Sequence, residues 1–354
     1  MFTLDSRRKN YQTRNFALFT CSYAIFSYSV SMEDALPIVD IAGVGLNATD
    51  TIIRLPYFPA FNSKVEFRSS DVFPGGQVAS AMVACSTWGL NARYVGKVGD
   101  DVFASLQRTE MEHAGVESHW ILAPQCQSQS SFILVDERNG ERTVLWKRDP
   151  RLELFAGEIR REWVVRSKFL HVDGHDCAGA AAAARWAREA FIPVSADLDN
   201  LYPGVEALLE NVDYLISSRE FPARLTGEPD LLLSLPILLK RFGCRVTAAT
   251  LGEDGVLAWD GSRFHYRPAF AITPVDATGA GDIFHAGFAY AKIQGWELAR
   301  TLEFSCAAAG LACMAPGARG GIAALARIEE LIRKGDRRSA AYSQEQLEGS
   351  GAAR

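Results

Sequence analysis

Between Val275 and Phe284 the chain reads Val-Asp-Ala-Thr-Gly-Ala-Gly-Asp-Ile-Phe, a run whose residue types suit one kind of chemistry. Gly279 and Gly281 remove side chains where a loop enters a helix whose apolar face continues through Ile283, Phe284, Gly287, Phe288 and Ala291. The first turn of a helix carries unpaired N–H groups and a partial positive charge, which together suit a phosphate. With no Cβ in the way, a γ-phosphate can approach the amides of Gly279, Ala280 and Gly281. Asp282 stands at the same helix mouth, where a carboxylate repels phosphate unless it has another task. Receiving the proton of an incoming alcohol is such a task, because the alcohol must lie between base and phosphate for in-line attack. An acidic first turn alone, worth about 0.3–1 kcal/mol, would explain Asp282 but not two glycines flanking Ala280.

Composition leaves room for such an enzyme and excludes other classes. The chain has 354 residues, 48% hydrophobic and 22% charged, with a formal net charge of −5. That is ordinary globular composition, without the basic balance that phosphate-backbone binding requires. No run approaches the roughly 18 consecutive apolar residues of a membrane span. The scattered cysteines form no Cys-x-x-Cys pair, as expected of reduced thiols in a cytosolic protein. His171 and His175 are a conceivable metal pair, but the segment alternates as a strand end and no third ligand is evident. Gly43-Val44-Gly45-Leu46-Asn47-Ala48 mimics a dinucleotide fingerprint, with Glu66 where a ribose-binding acid would fall. That fold needs a helix immediately afterwards, and the sequence there is β-branched and broken by Pro56 and Pro59. A Walker A loop is also absent, so a nucleotide must be held another way.

The elements that position the Asp282 loop alternate along the chain. A buried strand at 38–43 is followed by an Ala-rich helix at 76–88, a strand at 92–98 and a helix from a cap at Asp100 to His113. The rhythm continues with strand 168–173 and helix 178–190, strand 193–197 and helix 204–210, and strand 213–217 and a helix near 230–242. Strand 245–250, a hairpin around Asp260-Gly261 and helices at 280–294 and 296–313 complete it. Such alternation predicts right-handed βαβ units: an α/β, three-layer α/β/α sandwich with a mostly parallel central sheet. Two β-rich segments break the rhythm, 51–72 and 130–147, the latter a hairpin with a type I′ turn at Asn139-Gly140. They predict a small separate sheet acting as a lid, whose apolar side chains would also suit a homodimer contact.

The domain is expected over residues 37–330, between an N-terminal extension at 1–36 and a polar C-terminal tail at 331–354. The extension superficially resembles a signal peptide, with Arg7, Arg8, Lys9 and Arg14 ahead of an apolar stretch. Ser, Thr and Tyr dilute that stretch and no small-x-small site follows, so we read it as lying outside the fold, with Met32 as an alternative start.

The run Asp276-Ala277-Thr278-Gly279-Ala280-Gly281-Asp282 resembles the C-terminal signature of the ribokinase-like (PfkB) carbohydrate kinases. Gly75-Gly76-Gln77-Val78-Ala79-Ser80-Ala81, with Gly96 to Asp101, resembles their N-terminal signature. The resemblance implies a ribokinase-like fold and transfer of the ATP γ-phosphate to a hydroxyl of a pentose or hexose, with Mg²⁺ on the phosphates. It assigns Asp282 as catalytic base and Gly279, Ala280 and Gly281 as the anion hole. Asp50, Gly75, Gly76, Gln77, Ser80 and Asp173 fall at substrate positions, with the glycine pair as lid hinge. Thr250, Gly252 and Gly255 match a nucleotide loop, which reads unaided as a strand-to-turn connection. Ser217 and Glu220 occupy the positions of an Asn-x-x-Glu motif, where Glu220 would act on Mg²⁺ through water. Asp276 and the Thr278 carbonyl match a monovalent-cation site, K⁺ in many members.

This sequence departs from the family pattern in three places. Ser217 replaces the usual Asn, Gln77 and Ser80 replace the Lys and Asn of ribokinases proper, and Ala277 softens the D-T-x pattern. A ribose-specific assignment is therefore unsupported. Arg138, Arg142, Lys147 and Arg148 on the lid hairpin read as a solvated face, or as contacts to an acceptor already phosphorylated. Nucleoside and sugar-phosphate kinases of the same fold, and a non-catalytic binding relative, stay open beside the sugar kinase.

Overall fold

The computed structural model of the protein describes residues 36–138 and 142–352. The N-terminal extension to residue 35 and the Asn139-Gly140 turn lie outside the described residues.

Strand β1 (Ile41–Val44) leads through a turn at Gly45 into β2 (Ala48–Leu55), and β3 (Ser69–Gly75) returns to α1 (Gln77–Thr87). Then follow β4 (Ala92–Val98), α2 (Val102–His113), β5 (Glu117–Leu122), the hairpin β6 (Ser130–Asp136) and β7 (Arg142–Lys147), and α3 (Arg161–Val165). The second half runs β8 (Leu170–Asp173), α4 (Cys177–Glu189), β9 (Val194–Leu198), α5 (Val205–Leu209), β10 (Tyr214–Ser218), α6 (Phe221–Thr226) and α7 (Leu231–Phe242). It ends with β11 (Val246–Thr250), β12 (Val256–Trp259), β13 (Phe264–Arg267), α8 (Ala280–Ile293), α9 (Leu298–Ala312), α10 (Leu325–Lys334) and α11 (Gln344–Ala352).

Nine strands form the main sheet in the order β13-β12-β11-β10-β9-β8-β1-β4-β5, all running the same way except β12, which pairs antiparallel with both β11 and β13. Along each inner strand, alternate residues enter opposite layers. Ile41 packs with Met82, Phe284, Phe288 and Phe304 beneath α1, α8 and α9. Its neighbour Ala42 packs with Ala183, Leu208 and Phe221 beneath α4, α5 and α6. Being buried on both faces favours near-continuous apolar strands, which is how β1 reads; β8 and β10 are as buried, although His171, Asp173 and Ser217 interrupt them. Chain order reverses at β1, which pairs with β8 on one side and β4 on the other. In open α/β sheets the crevice beyond the strand ends at such a reversal is where ligands bind.

The lid is a second sheet, β3-β2-β6-β7. Its segments are shorter and shifted relative to the expected 51–72: β2 starts at Ala48, and residues 56–68 between β2 and β3 are not strand, because Pro56 and Pro59 interrupt the pairing. Other boundaries also differ. Asp101, not Asp100, caps α2, accepting from the Ala104 N–H at 3.0 Å. Edge strand β5 carries no sequence signal, because Glu117-Ser118-His119 gives no apolar run. The boundary expected at 330 falls inside α10, and the chain beyond it packs on the body: the Ala341 N–H donates to the Tyr266 hydroxyl at 2.9 Å, and Tyr342 and Leu347 pack on the Leu235 and Trp259 cluster. Isolated apolar residues in a polar tail carry no periodic signal that would announce this.

Candidate active site

The loop before α8 is held from two directions. The Val275 N–H donates to the Cys313 carbonyl at 2.7 Å. Asp276 accepts from the Thr278 N–H through Oδ1 and from the Gly317 N–H through Oδ2, both at 2.9 Å. Gly279 then caps α8 in the left-handed region, φ 78°, where a side chain would be strained. Two cavities meet at this turn and share Ala277 in their walls.

The donor-side cavity, about 290 Å³, is mostly apolar, with Phe270, Ile272, Pro274 and Phe284 in its walls. Thr250, Gly252 and Gly255 line it, and Ala280 and Gly281 open onto it from the helix mouth. Gly281 has no other atom within 4 Å of where a Cβ would stand, so backbone is presented directly to the cavity. Ser217 and Glu220 are not in its wall. The Ser217 hydroxyl is buried and donates to the Ala248 carbonyl at 3.3 Å, and Glu220 is exposed at the start of α6.

The acceptor-side cavity, about 340 Å³, lies beneath the lid and contains Asp50, Gly76, Gln77, Gly279 and Asp282 from the predicted set. Sequence reasoning did not place Gln129, Trp146, His175 and Asp199 there. Asp199 follows the carboxyl end of β9, and the rule that ligands gather at strand ends would have found it.

Asp282 is half-buried at this cavity, and burial, with Asp197, Asp50 and Asp173 nearby, pushes its carboxyl up to about 8. Arg319 acts in the opposite sense. Burial also raises Asp50, whose Oδ1 accepts the Ser131 hydroxyl. Gly75 faces the other oxygen, and a Cβ there would lie 2.7 Å from Asp50 Oδ2. Gly76, at φ 96°, leaves no room for a side chain, since a Cβ would stand 2.7 Å from the Leu46 carbonyl. Below Asp282, His285 Nε2 lies 3.2 Å from Asp197 Oδ1. Burial raises the Asp197 carboxyl and lowers His285 to about 3, so burial disfavours the charged form of both partners.

Two expected substrate residues serve the cavity from behind. Asp173 is fully buried; its oxygens accept from the Leu46 N–H at 2.7 Å and the His175 N–H at 3.0 Å, and burial pushes it up to about 7. Ser80 is also fully buried, and its Oγ accepts from Arg319 Nε at 3.3 Å. Neither lines the cavity, because both sit one layer below it, on the sheet end and inside α1. Arg319 itself had no sequence signal.

The basic lid residues divide. Arg138 pairs with Asp136, Arg148 with Asp176, and Lys147 donates to Gln127. Arg142 lines the acceptor cavity, with Nη1 3.2 Å from Thr278 Oγ1 and 3.8 Å from Asp276 Oδ1.

Residues 36–324 match the pfkB family carbohydrate kinase model. An ATP-dependent ribose-1-phosphate kinase of Halopiger xanaduensis is 29% identical over 275 residues, covering 76% of this chain and 90% of that protein. A ribokinase of Bacillus subtilis is 26% identical, covering 83% and 99%. Among solved structures, Arabidopsis thaliana ribokinase with ribose and ATP superposes with a TM-score of 0.73 at 20% identity, covering 84% and 99%. Ribokinase from Thermotoga maritima gives 0.73 at 23%, covering 84% and 100%. At those identities the two structures speak for the fold.

Proposed function

The chain belongs to the pfkB family of carbohydrate kinases, and from that premise we propose that it transfers the γ-phosphate of ATP to a hydroxyl of a neutral pentose or hexose. One observation carries this reading: the N-terminus of α8 lies where an apolar cavity and a carboxylate-lined cavity meet. A purine suits the first and a polyol the second. Developing phosphate charge then falls on the first-turn amides, where one positioned donor contributes roughly 3–4 kcal/mol. Asp282 takes the hydroxyl proton, and Asp50 and Asp199 accept hydrogen bonds from other hydroxyls. The lid excludes water, which would otherwise compete as acceptor.

Mg²⁺ suits the hard oxygen donors here, and it keeps several waters when one or two carboxylates bind it. Asp199 at the cavity would hold it on the phosphates, with Glu220, which lies outside both cavities, reached only through water. Bound there, it would neutralise charge on the group transferred. Asp276 serves chiefly as a loop brace. A K⁺ ion at its carboxylate and the Thr278 carbonyl would share the site with the Arg142 guanidinium.

Arg142 supports a second reading, an acceptor already carrying a phosphate. Three carboxylates in the same cavity oppose it. Turnover with Mg·ATP against D-ribose, D-fructose, ribose 1-phosphate, fructose 6-phosphate and adenosine decides. ADP release with free sugars supports the first reading, and release only with phosphorylated sugars replaces it. No release with any acceptor, despite nucleotide-dependent thermal stabilisation, leaves the non-catalytic relative.

On the lid's outer face Phe132 and Leu145 are about half exposed, which supports a contact with a second copy. No helix among the described residues is long and apolar enough to cross a membrane, and the free thiols there support a cytoplasmic site of action.

A further inference from the structure

Arg319 follows α9 in a glycine-rich turn, and neutral oxygens hold its side chain. Nε donates to Ser80 Oγ at 3.3 Å, and Nη2 donates to the Gly75 carbonyl at 2.8 Å and to Gln107 Oε1 at 3.0 Å. Nη1 is enclosed without a hydrogen-bond partner, and among the described residues no carboxylate lies within ion-pair distance of the guanidinium. A cation partnered only by neutral groups keeps its field for more distant charges.

Its contacts reach both roots of the lid. Gly75 ends β3 and pairs with Ala48 at the start of β2. Gln107, held by Arg319, in turn donates to the Ala48 carbonyl and to Thr49 Oγ1. The same turn grips the phosphate loop: the Gly317 N–H donates to Asp276, and Ala318 packs against Gly279.

We propose that Arg319 is a positioning residue, bracing both roots of the lid against the turn that precedes Asp282 and supplying the positive charge that keeps that carboxylate usable as a base. This rests on the reading of Asp282 given above. The other groups facing Asp282 are Asp50 from β2, Asp173 at the end of β8, Asp197 from β9, and Arg142, His175 and Asp199 around the same cavity. His285, on its own helix, is held neutral by burial. The carboxylates oppose ionisation of Asp282. Burial lowers the guanidinium only to about 10, so Arg319 stays charged at neutral pH.

The test uses the full chain with Mg·ATP and D-ribose or D-fructose, following kcat/KM from pH 6 to 10 for wild type, Arg319→Met and Arg319→Lys. We expect Met to move the acidic limb up by about one unit, the usual scale for a neighbouring opposite charge, and to cut activity at pH 7 about tenfold. Lys should keep the limb in place while raising the acceptor KM. If Met and Lys lose activity alike with the limb unmoved, the residue is merely structural and the proposal falls. Should Met fail to fold, Arg319→Gln carries the same expectation; if neither folds, the Lys variant decides, a limb in place with raised acceptor KM and kept kcat upholding the proposal, and a shifted limb or a loss of kcat overturning it. Asp282→Asn separates the two readings. If it turns over like wild type, the base assignment fails. If it is inactive while the neutral Arg319 variants leave the limb in place, only the present inference fails.

Discussion

Gly279 lies in backbone contact with Ala318: a Cβ on Gly279 would stand 2.5 Å from the Ala318 Cα. The two glycines of the phosphate loop therefore have different duties. Gly279 exists for the fold, where its φ of 78° and the Ala318 backbone forbid a side chain, whereas Gly281 borders open space.

Gly279→Ala should lower thermal stability, since a left-handed alanine alone costs roughly 1–2 kcal/mol before the clash is counted. Gly281→Ala should melt as wild type yet lose about 10²-fold in kcat, by spoiling a donor at the transferred phosphate. Thermal unfolding and initial rates on the same preparations check both. Equal loss of stability in the two variants would refute the division of labour.

Asp282→Asn should lower kcat by roughly 10²–10⁴-fold, the range for a positioned base. Wild-type kcat/KM should rise with pH through about 8, because the base works deprotonated and its carboxyl is pushed up to about 8. A flat profile from pH 6 to 9 would contradict this.

The same raised carboxyl predicts a stability effect of definite sign. Unfolded, Asp282 loses its proton near 3.8; folded, it keeps it to about 8. Between those values the native state binds more protons, so its stability falls as pH rises. Asp282→Asn should therefore melt above wild type by the largest margin above pH 8, with the margin shrinking towards pH 4. Melting curves across that range suffice.

Asp173→Ala leaves the buried Leu46 N–H and the half-buried His175 N–H without their acceptor. We expect a loss of about 1–3 kcal/mol, the penalty for unsatisfied buried donors, with the acceptor KM raised more than kcat is lowered. Denaturant unfolding and steady-state kinetics measure the two effects.

Leu145→Glu puts a charge on the exposed outer face of the lid. If two copies meet there, light scattering should show the variant shifted to monomer at concentrations where wild type is dimeric. A wild type that is monomeric throughout would remove the contact.

Much of this protein is legible in one dimension because its determinants are local. The βαβ rhythm follows from strands buried on both faces, and the helix mouth at Gly279 to Asp282 from two absent side chains beside an acid. Gly76 and Gly255 also announce themselves, since positive φ selects glycine by type. What tertiary structure decided are the jobs that depend on distance. Asp173 and Ser80 read as substrate contacts and proved to hold Leu46 and Arg319 from below. Ser217 and Glu220 resembled a phosphate motif and stand outside both cavities. Arg319 has no motif, yet its partner Gly75 is 244 residues away in sequence. A hydrogen bond between such distant segments leaves no spacing to read, and whether a buried cation meets a carboxylate or a carbonyl is settled only when the layers pack.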